Sequence, residues 1–379
     1  MNSPIYLDYN ATTPVAPEVA AAMLPWIEEQ FGNPSSSHVY GQRARKAVAA
    51  ARESVAALIG ATGDEIVFTG SATEANNLAL LGVAHAMPPD RRHLIVSAVE
   101  HPAVLQPALH LRDEGWDLTV LPVDGFGRIA LDDLRAALRP DTALVSIMHA
   151  NNEVGTIQPV AEIAALARAN GSLVHTDAAQ SAGKVRLDVD ELRVDLLTLA
   201  GHKFYAPKGV GGLYIRHGSA IKPILFGADQ EHGLRPGTEN VAHIVGLGEA
   251  ARLARARLPR ATKHLAALRD DLQRRLAEAV PGLTLNGHPE HRLPNTLHVS
   301  FPGVSGRDLL AAASEVAASV GSACHSDADA VSGVLAAMGC NPMRARGAVR
   351  LSVGFPVAAG EINAAAASLV SAWRALASS

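Results

Sequence analysis

Between residues 65 and 200, short apolar runs alternate with longer stretches of helical character. This alternation constrains the fold more than any other feature of the chain. The runs occupy residues 65–69, 94–98, 118–123, 144–148, 173–176 and 196–200, and each has strand length and composition. Such a pattern predicts a mostly parallel, doubly wound sheet. In sheets of that kind, ligands sit beyond the carboxyl ends of the strands. Several of those ends are polar here. One runs into Glu100-His101-Pro102, the next into His149 to Gly155, another into Asp177 and Gln180, and the last into His202 and Lys203.

The last two ends carry the chemistry. A lysine in an apolar pocket or beside a second cation favours its neutral amine and can bond covalently to a carbonyl compound. An aspartate close by suits a protonated pyridine nitrogen, and lysine with such a partner is the pattern of pyridoxal phosphate sites. Residues 65–69 lead through Gly70 into Ser71, Ala72, Thr73 and a helix read over residues 78–85. Free backbone N–H groups at a helix N-terminus, with two hydroxyls beside them, suit an anion such as a phosphate. GxxxxGK[ST] and GxGxxG are both missing, which argues against nucleotide-binding alternatives.

Composition removes other classes. Lys and Arg total 33 against 37 Asp and Glu, so there is no basic excess for nucleic acid. No apolar run is long enough to cross a membrane, and the N-terminus lacks the pattern of a signal peptide. The only cysteines are Cys324 and Cys340, which argues against a disulfide framework and fits a cytoplasmic protein. His288 and His291 lack partners at zinc spacing, so no metal site is expected. Helices are expected at 16–30, 43–59, 241–257 and 263–279. Residues 210–216 read as a strand returning over the sheet, and 226–240 as a Gly-rich polar loop. Shorter strands and helices at 296–301, 308–314 and 350–353 predict a second, α+β lobe joined by the N-terminal residues. Cys324 lies in a stretch of small and polar residues, where a thiolate would be exposed and nucleophilic.

Taken in order, YLDYNATTP, FGNPSS, GSATEANN, VEHPAV, HANNEVG, HTDAAQSAGK, GHKFYAPKG, RPGTEN, ASVGSACHS and AVRLSVG resemble the pyridoxal phosphate-dependent cysteine desulfurases and selenocysteine lyases over nearly the whole chain. The resemblance implies the fold type I architecture of these transferases: a mostly parallel seven-stranded sheet in a large domain, with a smaller α+β domain. Residues 13–257 would form the large cofactor-binding domain, and residues 1–12 with 258–379 the small one carrying the cysteine loop. It implies that Lys203 bears the cofactor, Asp177 pairs with its ring nitrogen, Gln180 donates to the ring hydroxyl and His101 stacks on the ring. Ser71, Ala72, Thr73, His202 and, from the other subunit of a homodimer, Thr238 would hold the phosphate. Asn152 and Arg350 would orient the substrate, Arg350 by gripping its carboxylate. Cys324 would take sulfur from L-cysteine as a persulfide, leaving L-alanine, and pass it to an acceptor protein, as in iron–sulfur assembly.

The chain departs from this family at three places. Ala200 stands where desulfurases commonly have a serine, which predicts looser phosphate binding. Pro102 follows His101, where desulfurases often carry Lys and the lyases Asp. The loop around Cys324 and His325 reads more like that of the lyases, so selenocysteine lyase is the alternative activity. More distant readings are an aminotransferase, in which Cys324 has no role, and a non-catalytic sulfur carrier.

Overall fold

The computed structural model describes residues 3–321 and 332–378. A short strand β1 (Ile5–Tyr6) precedes helices α1 (Pro17–Glu28) and α2 (Val39–Ile59). Strands and helices then alternate: β2 (Ile66–Thr69), α3 (Ala72–Ala86), β3 (His93–Ser97), α4 (Pro102–Asp113), β4 (Asp117–Leu121), α5 (Leu131–Ala137), β5 (Thr142–Ser146), α6 (Val160–Ala169), β6 (Leu173–Asp177), α7 (Val189–Leu192) and β7 (Leu196–Ala200). Strand β8 (Gly211–Ile215) and the long helix α8 (Val241–Ala279) follow. The remainder holds β9 (Thr284–Asn286), β10 (Thr296–Ser300), α9 (Gly306–Ala312), β11 (Val316–Ala317), α10 (Gly333–Ala337), α11 (Pro342–Arg346), β12 (Ala348–Ser352) and α12 (Ala359–Ala377).

The apolar runs form a seven-stranded sheet in the order β2-β8-β7-β6-β5-β3-β4. Neighbours from β7 through β4 are parallel, as strand–helix–strand crossover connections allow. Strand β8 does not lie over the sheet as expected. It inserts between β7 and β2, antiparallel to both, because residues 204–210 make a short return rather than a helical crossover. Its Gly211 is required there. A Cβ would come within 2.7 Å of the Ser71 carbonyl carbon and 2.9 Å of the Ala72 nitrogen, so β8 could not pass under the start of α3.

Helix α2 shows why the chain folds as it does. Ala44, Val48, Ala51, Val55, Leu58 and Ile59 recur at three- and four-residue steps and are all buried. Gly60 ends the helix in a left-handed conformation, φ 74°. Burying Ile59 fully contributes roughly 1.5–3 kcal/mol. α2 packs on α8 so closely that a Cβ on Gly248 would lie 2.6 Å from Ala51.

A three-stranded antiparallel sheet, β12-β10-β9, forms a second centre. Its core joins Leu7 to Leu272, Leu297, Val349, Leu351, Ile362 and Leu369. The expected helices 241–257 and 263–279 are one helix of 39 residues. Its first half, through Leu253, packs in the core of the large sheet, and from Leu265 onward it packs in the second core. Pro259 lies inside it, and the loss of one backbone donor is tolerated because both flanks are anchored. Residues 308–314 fall mostly in α9, capped by Ser305. No helix among the described residues is long and apolar enough to cross a membrane.

Candidate active site

Strands β6 and β7 run parallel, so Asp177 at the end of β6 and Lys203 just past the end of β7 emerge at one edge of the sheet. Asp177 is buried. One of its oxygens, Oδ1, accepts from the Ala179 N–H at 2.9 Å, and Oδ2 accepts from the Asn76 amide at 2.8 Å. Asn76 sits on α3 and is itself fully buried. The carboxylate is therefore clamped between its own turn and a neighbouring helix.

The Lys203 amine donates to the carbonyl oxygens of Asn10 at 2.6 Å and Ala11 at 2.8 Å. Burial, reinforced by the Arg350 charge, pushes its pKa down to about 8, against the opposing pull of Asp177 and Asp8. Near neutrality a useful fraction is the neutral nucleophile. His202 is pushed down to about 4 by burial and then by Lys203 and other lysines, so its ring is neutral. Its Nδ1 lies 3.1 Å from the Thr12 hydroxyl.

His101 caps helix α4. Its Nδ1 accepts from the Ala103 N–H at 3.1 Å, which leaves the proton on Nε2. Burial lowers its pKa, Asp177 opposes this, and Lys203 adds to it. Pro102 fits directly after His101 because it stands at the first helical position, where its missing N–H is not needed. Beside it, Glu100 is buried and accepts from Ser97 Oγ at 2.6 Å and the Met148 N–H at 2.9 Å. Burial pushes its carboxyl up to about 8, so it is a neutral acid at pH 7.

The turn before α3 is a built cradle. The Ser71 hydroxyl accepts from the Glu74 N–H at 3.1 Å, and Glu74 Oε2 accepts from the Gly70 N–H at 2.9 Å. Ser71 caps the helix so well that α3 begins at Ala72, earlier than the expected residue 78. Ala72 and Thr73 thus lie in the first turn, where N–H groups lack helical partners. Arg235 from loop 226–240 donates to Glu74 Oε1 at 2.8 Å and ties that loop to the cradle. Thr238, on the same loop, is exposed.

The N-terminal segment closes the site from the other side. Gln180 is buried and donates to the Asn10 carbonyl at 3.0 Å. Arg350, buried on β12, donates from Nη2 to Asp8 Oδ1 at 2.8 Å and from Nη1 to the Asn152 carbonyl at 3.0 Å. Its Nε is buried and has no partner among the described residues. Asn152 is held by its backbone carbonyl, which also accepts from the Asn10 amide at 3.2 Å. Asp8, Asn10 and Lys184 were not singled out from sequence. They lie inside the motifs YLDYNATTP and HTDAAQSAGK, but nothing local marks them as partners of residues some 170 to 340 positions away. Cys324 and His325 lie outside the described residues.

A cavity of about 770 Å³ opens at the junction of the two cores, lined by Lys203, Lys184 and Asn295 and by apolar groups including Tyr9, Leu253 and Phe355. Asp177, His101 and Ser71 are not among its walls. It reaches the lysines from the junction side and is not the cradle at α3.

Residues 5–364 match the family model for class-V aminotransferases. A protein named cysteine desulfurase IscS from Dictyoglomus turgidum is 46% identical over 365 residues, covering 96% of this chain and 93% of that protein. Another of that name, from Methanosarcina thermophila, is 46% identical over 355 residues, covering 93% of this chain and 88% of its own. Among solved structures, a NifS-like protein superposes with a TM-score of 0.91 at 38% identity, covering 97% of this chain and 98% of its own. SspA in complex with cysteine superposes at 0.82 and 37% identity, covering 92% of this chain and 98% of its own. The chain belongs to the class-V aminotransferase family and falls in it among proteins named cysteine desulfurase.

Proposed function

We propose that the chain acts as a pyridoxal phosphate-dependent cysteine desulfurase, with Lys203 bearing the cofactor and Cys324 receiving the sulfur. The observation that carries this reading is one half-buried amine and one clamped carboxylate at adjacent strand ends, beside a helix N-terminus. These residues fit the group. Asp177 suits a protonated ring nitrogen, and the His101 ring suits the face. Gln180 suits the ring hydroxyl, and Ser71, Ala72, Thr73 and His202 suit the phosphate. Ala200 offers no hydroxyl, and it is buried at the end of β7.

When bound, pyridoxal phosphate supplies an electron sink for the bonds around the substrate α-carbon. The rest falls to the chain. Lys203 would hold the cofactor and, as a free amine, would move the substrate α-proton. Arg350, already fixed by Asp8 and the Asn152 carbonyl, grips the substrate carboxylate. The Cys324 thiolate attacks the substrate sulfur, the C–S bond breaks, and L-cysteine with the enzyme thiol becomes L-alanine with an enzyme persulfide. An acceptor protein then takes the outer sulfur.

A homodimer follows from this reading, because exposed Thr238 would serve the phosphate of a second copy. The exposed Phe226, Phe31 and Tyr40 support such an interface. We place the protein in the cytoplasm, and its domain boundary in α8 near residue 257. Selenocysteine lyase keeps its support from the Cys324 loop sequence. The deciding experiment measures sulfide from L-cysteine and selenide from L-selenocysteine in wild type and Cys324→Ala. A desulfurase loses sulfide release in the variant. Retained sulfide release, or preference for selenocysteine, overturns this reading.

A further inference from the structure

We infer that Lys184 is a positioning residue, whose buried amine orients the side-chain amides of Gln180 and Asn10 toward the backbone carbonyls that hold Lys203 and Arg350. The inference rests on the reading that Lys203 bears pyridoxal phosphate.

Lys184 closes the turn after β6, and its side chain is buried, with only 6% exposed. Its backbone is fixed at both ends: the N–H donates to the Ser181 carbonyl at 3.0 Å, and its own carbonyl accepts from the Thr262 hydroxyl at 2.9 Å. Among the described residues it forms no ion pair with a carboxylate. A buried lysine without a counterion is unfavourable, and a methionine would fill the same space without that penalty. The contacts of the amine say what the lysine does instead.

Its Nζ donates to Gln180 Oε1 at 3.0 Å and to Asn10 Oδ1 at 3.4 Å. An amide has an acceptor end and a donor end of nearly equal shape, and only its partners decide which way it faces. With Oε1 held by Lys184, Gln180 must turn Nε2 the other way, and that nitrogen donates to the Asn10 carbonyl at 3.0 Å. The same carbonyl accepts from Lys203 at 2.6 Å. Asn10 is fixed in the same manner. Its Oδ1 faces Lys184 and the Asn295 amide, so its Nδ2 faces the Thr296 hydroxyl and the Asn152 carbonyl. Arg350 donates to that carbonyl too. One amine therefore sets the orientation of groups touching both the lysine and the arginine of the site.

The charges around this network are few. Burial, and after it the facing charges of Lys203 and Arg350, hold the Lys184 amine well below the ordinary lysine range. Arg350, Asp177 and Asp8 face Lys203. His202 and His101 stand nearby as neutral rings.

The test is a double-mutant cycle on purified protein loaded with pyridoxal phosphate, using Lys184→Met, Gln180→Met and the pair. It reads the pH midpoint of the visible absorption band and the rate of cofactor dissociation. Lys184→Met is expected to move the midpoint by about half a pH unit or more and to speed dissociation severalfold. Most of that effect should vanish in the Gln180→Met background, because the lysine acts through the glutamine. Additive effects, or an unchanged midpoint in Lys184→Met, overturn the inference while leaving the cofactor reading intact. A wild type that shows no band overturns the reading and this inference together. Where Lys184→Met does not fold, Lys184→Gln, which keeps an N–H donor, replaces it and should sit closer to wild type. If neither folds, Lys184 is a packing requirement and the positioning role is wrong.

Discussion

Two regions of the molecule build the site in different ways. At the ends of β6 and β7, each functional side chain is placed by the strand or turn that bears it: Asp177 by the last residue of β6, Lys203 by the short helical turn after β7, Ser71 by the cap of α3. The N-terminal segment around Asp8 to Thr13 has almost no regular structure, yet it touches nearly everything. Asp8 holds Arg350, Asn10 receives Lys203 and Gln180, and the Thr13 hydroxyl donates to the His202 carbonyl. The first region carries reactive groups on rigid elements. The second is a polar strap that makes those elements meet the small sheet in one arrangement. Chemistry can thus be local while its alignment is distributed.

Loss of the Lys203 amine should have the largest effect. Lys203→Ala should lower turnover by on the order of 10³-fold or more, since on the proposed reading Lys203 supplies the covalent amine. Residual activity near wild type would show that the strand-end region is not the reactive one. Asp8→Asn tests the strap. It leaves Arg350 with a weaker neutral partner and should lower kcat/KM for cysteine by about ten- to a hundredfold, mostly through KM. An unchanged KM would mean that the strap does not position the arginine.

Glu100→Gln acts on stability. The folded protein keeps a proton on Glu100 that the unfolded chain releases above its ordinary value of 4.5. Stability from this group is therefore full below 4.5 and lost as pH rises toward about 8. The glutamine variant should flatten that decline in denaturant midpoints measured between pH 5 and 8, and an unaltered slope would contradict a neutral Glu100. The smallest effect belongs to Arg235→Ala. The Arg235–Glu74 pair is partly solvated, with side chains 28% and 23% exposed, so its loss should cost about 1 kcal/mol or less in thermal unfolding.

Legibility in the sequence follows the same division. The strands and the residues at their ends could be read because a parallel strand is a continuous apolar run and its end is an abrupt change to polar residues. The large sheet, Asp177, Lys203, His101 and the α3 cradle came from that signal together with the family resemblance. The place of β8 could not be read, because an apolar run does not show which neighbour it pairs with. Nor could the strap. Asp8 and Asn10 look like ordinary turn residues, and their partners Arg350, Asn295 and Thr296 lie on or beside the small antiparallel sheet. Lys184 was hidden for another reason: a lysine near a turn reads as solvated, and only the packed structure shows that it is buried.

The central claim is that one particular amine bears the cofactor, and three lysines lie close enough in sequence to compete: Lys184, Lys203 and Lys208. Borohydride trapping of the protein mixed with pyridoxal phosphate, followed by peptide mass mapping, distinguishes them. The account predicts a single phosphopyridoxyl group on Lys203, absent in Lys203→Ala. A group fixed to Lys184 or Lys208 in the wild type, or no fixed group at all, would contradict it.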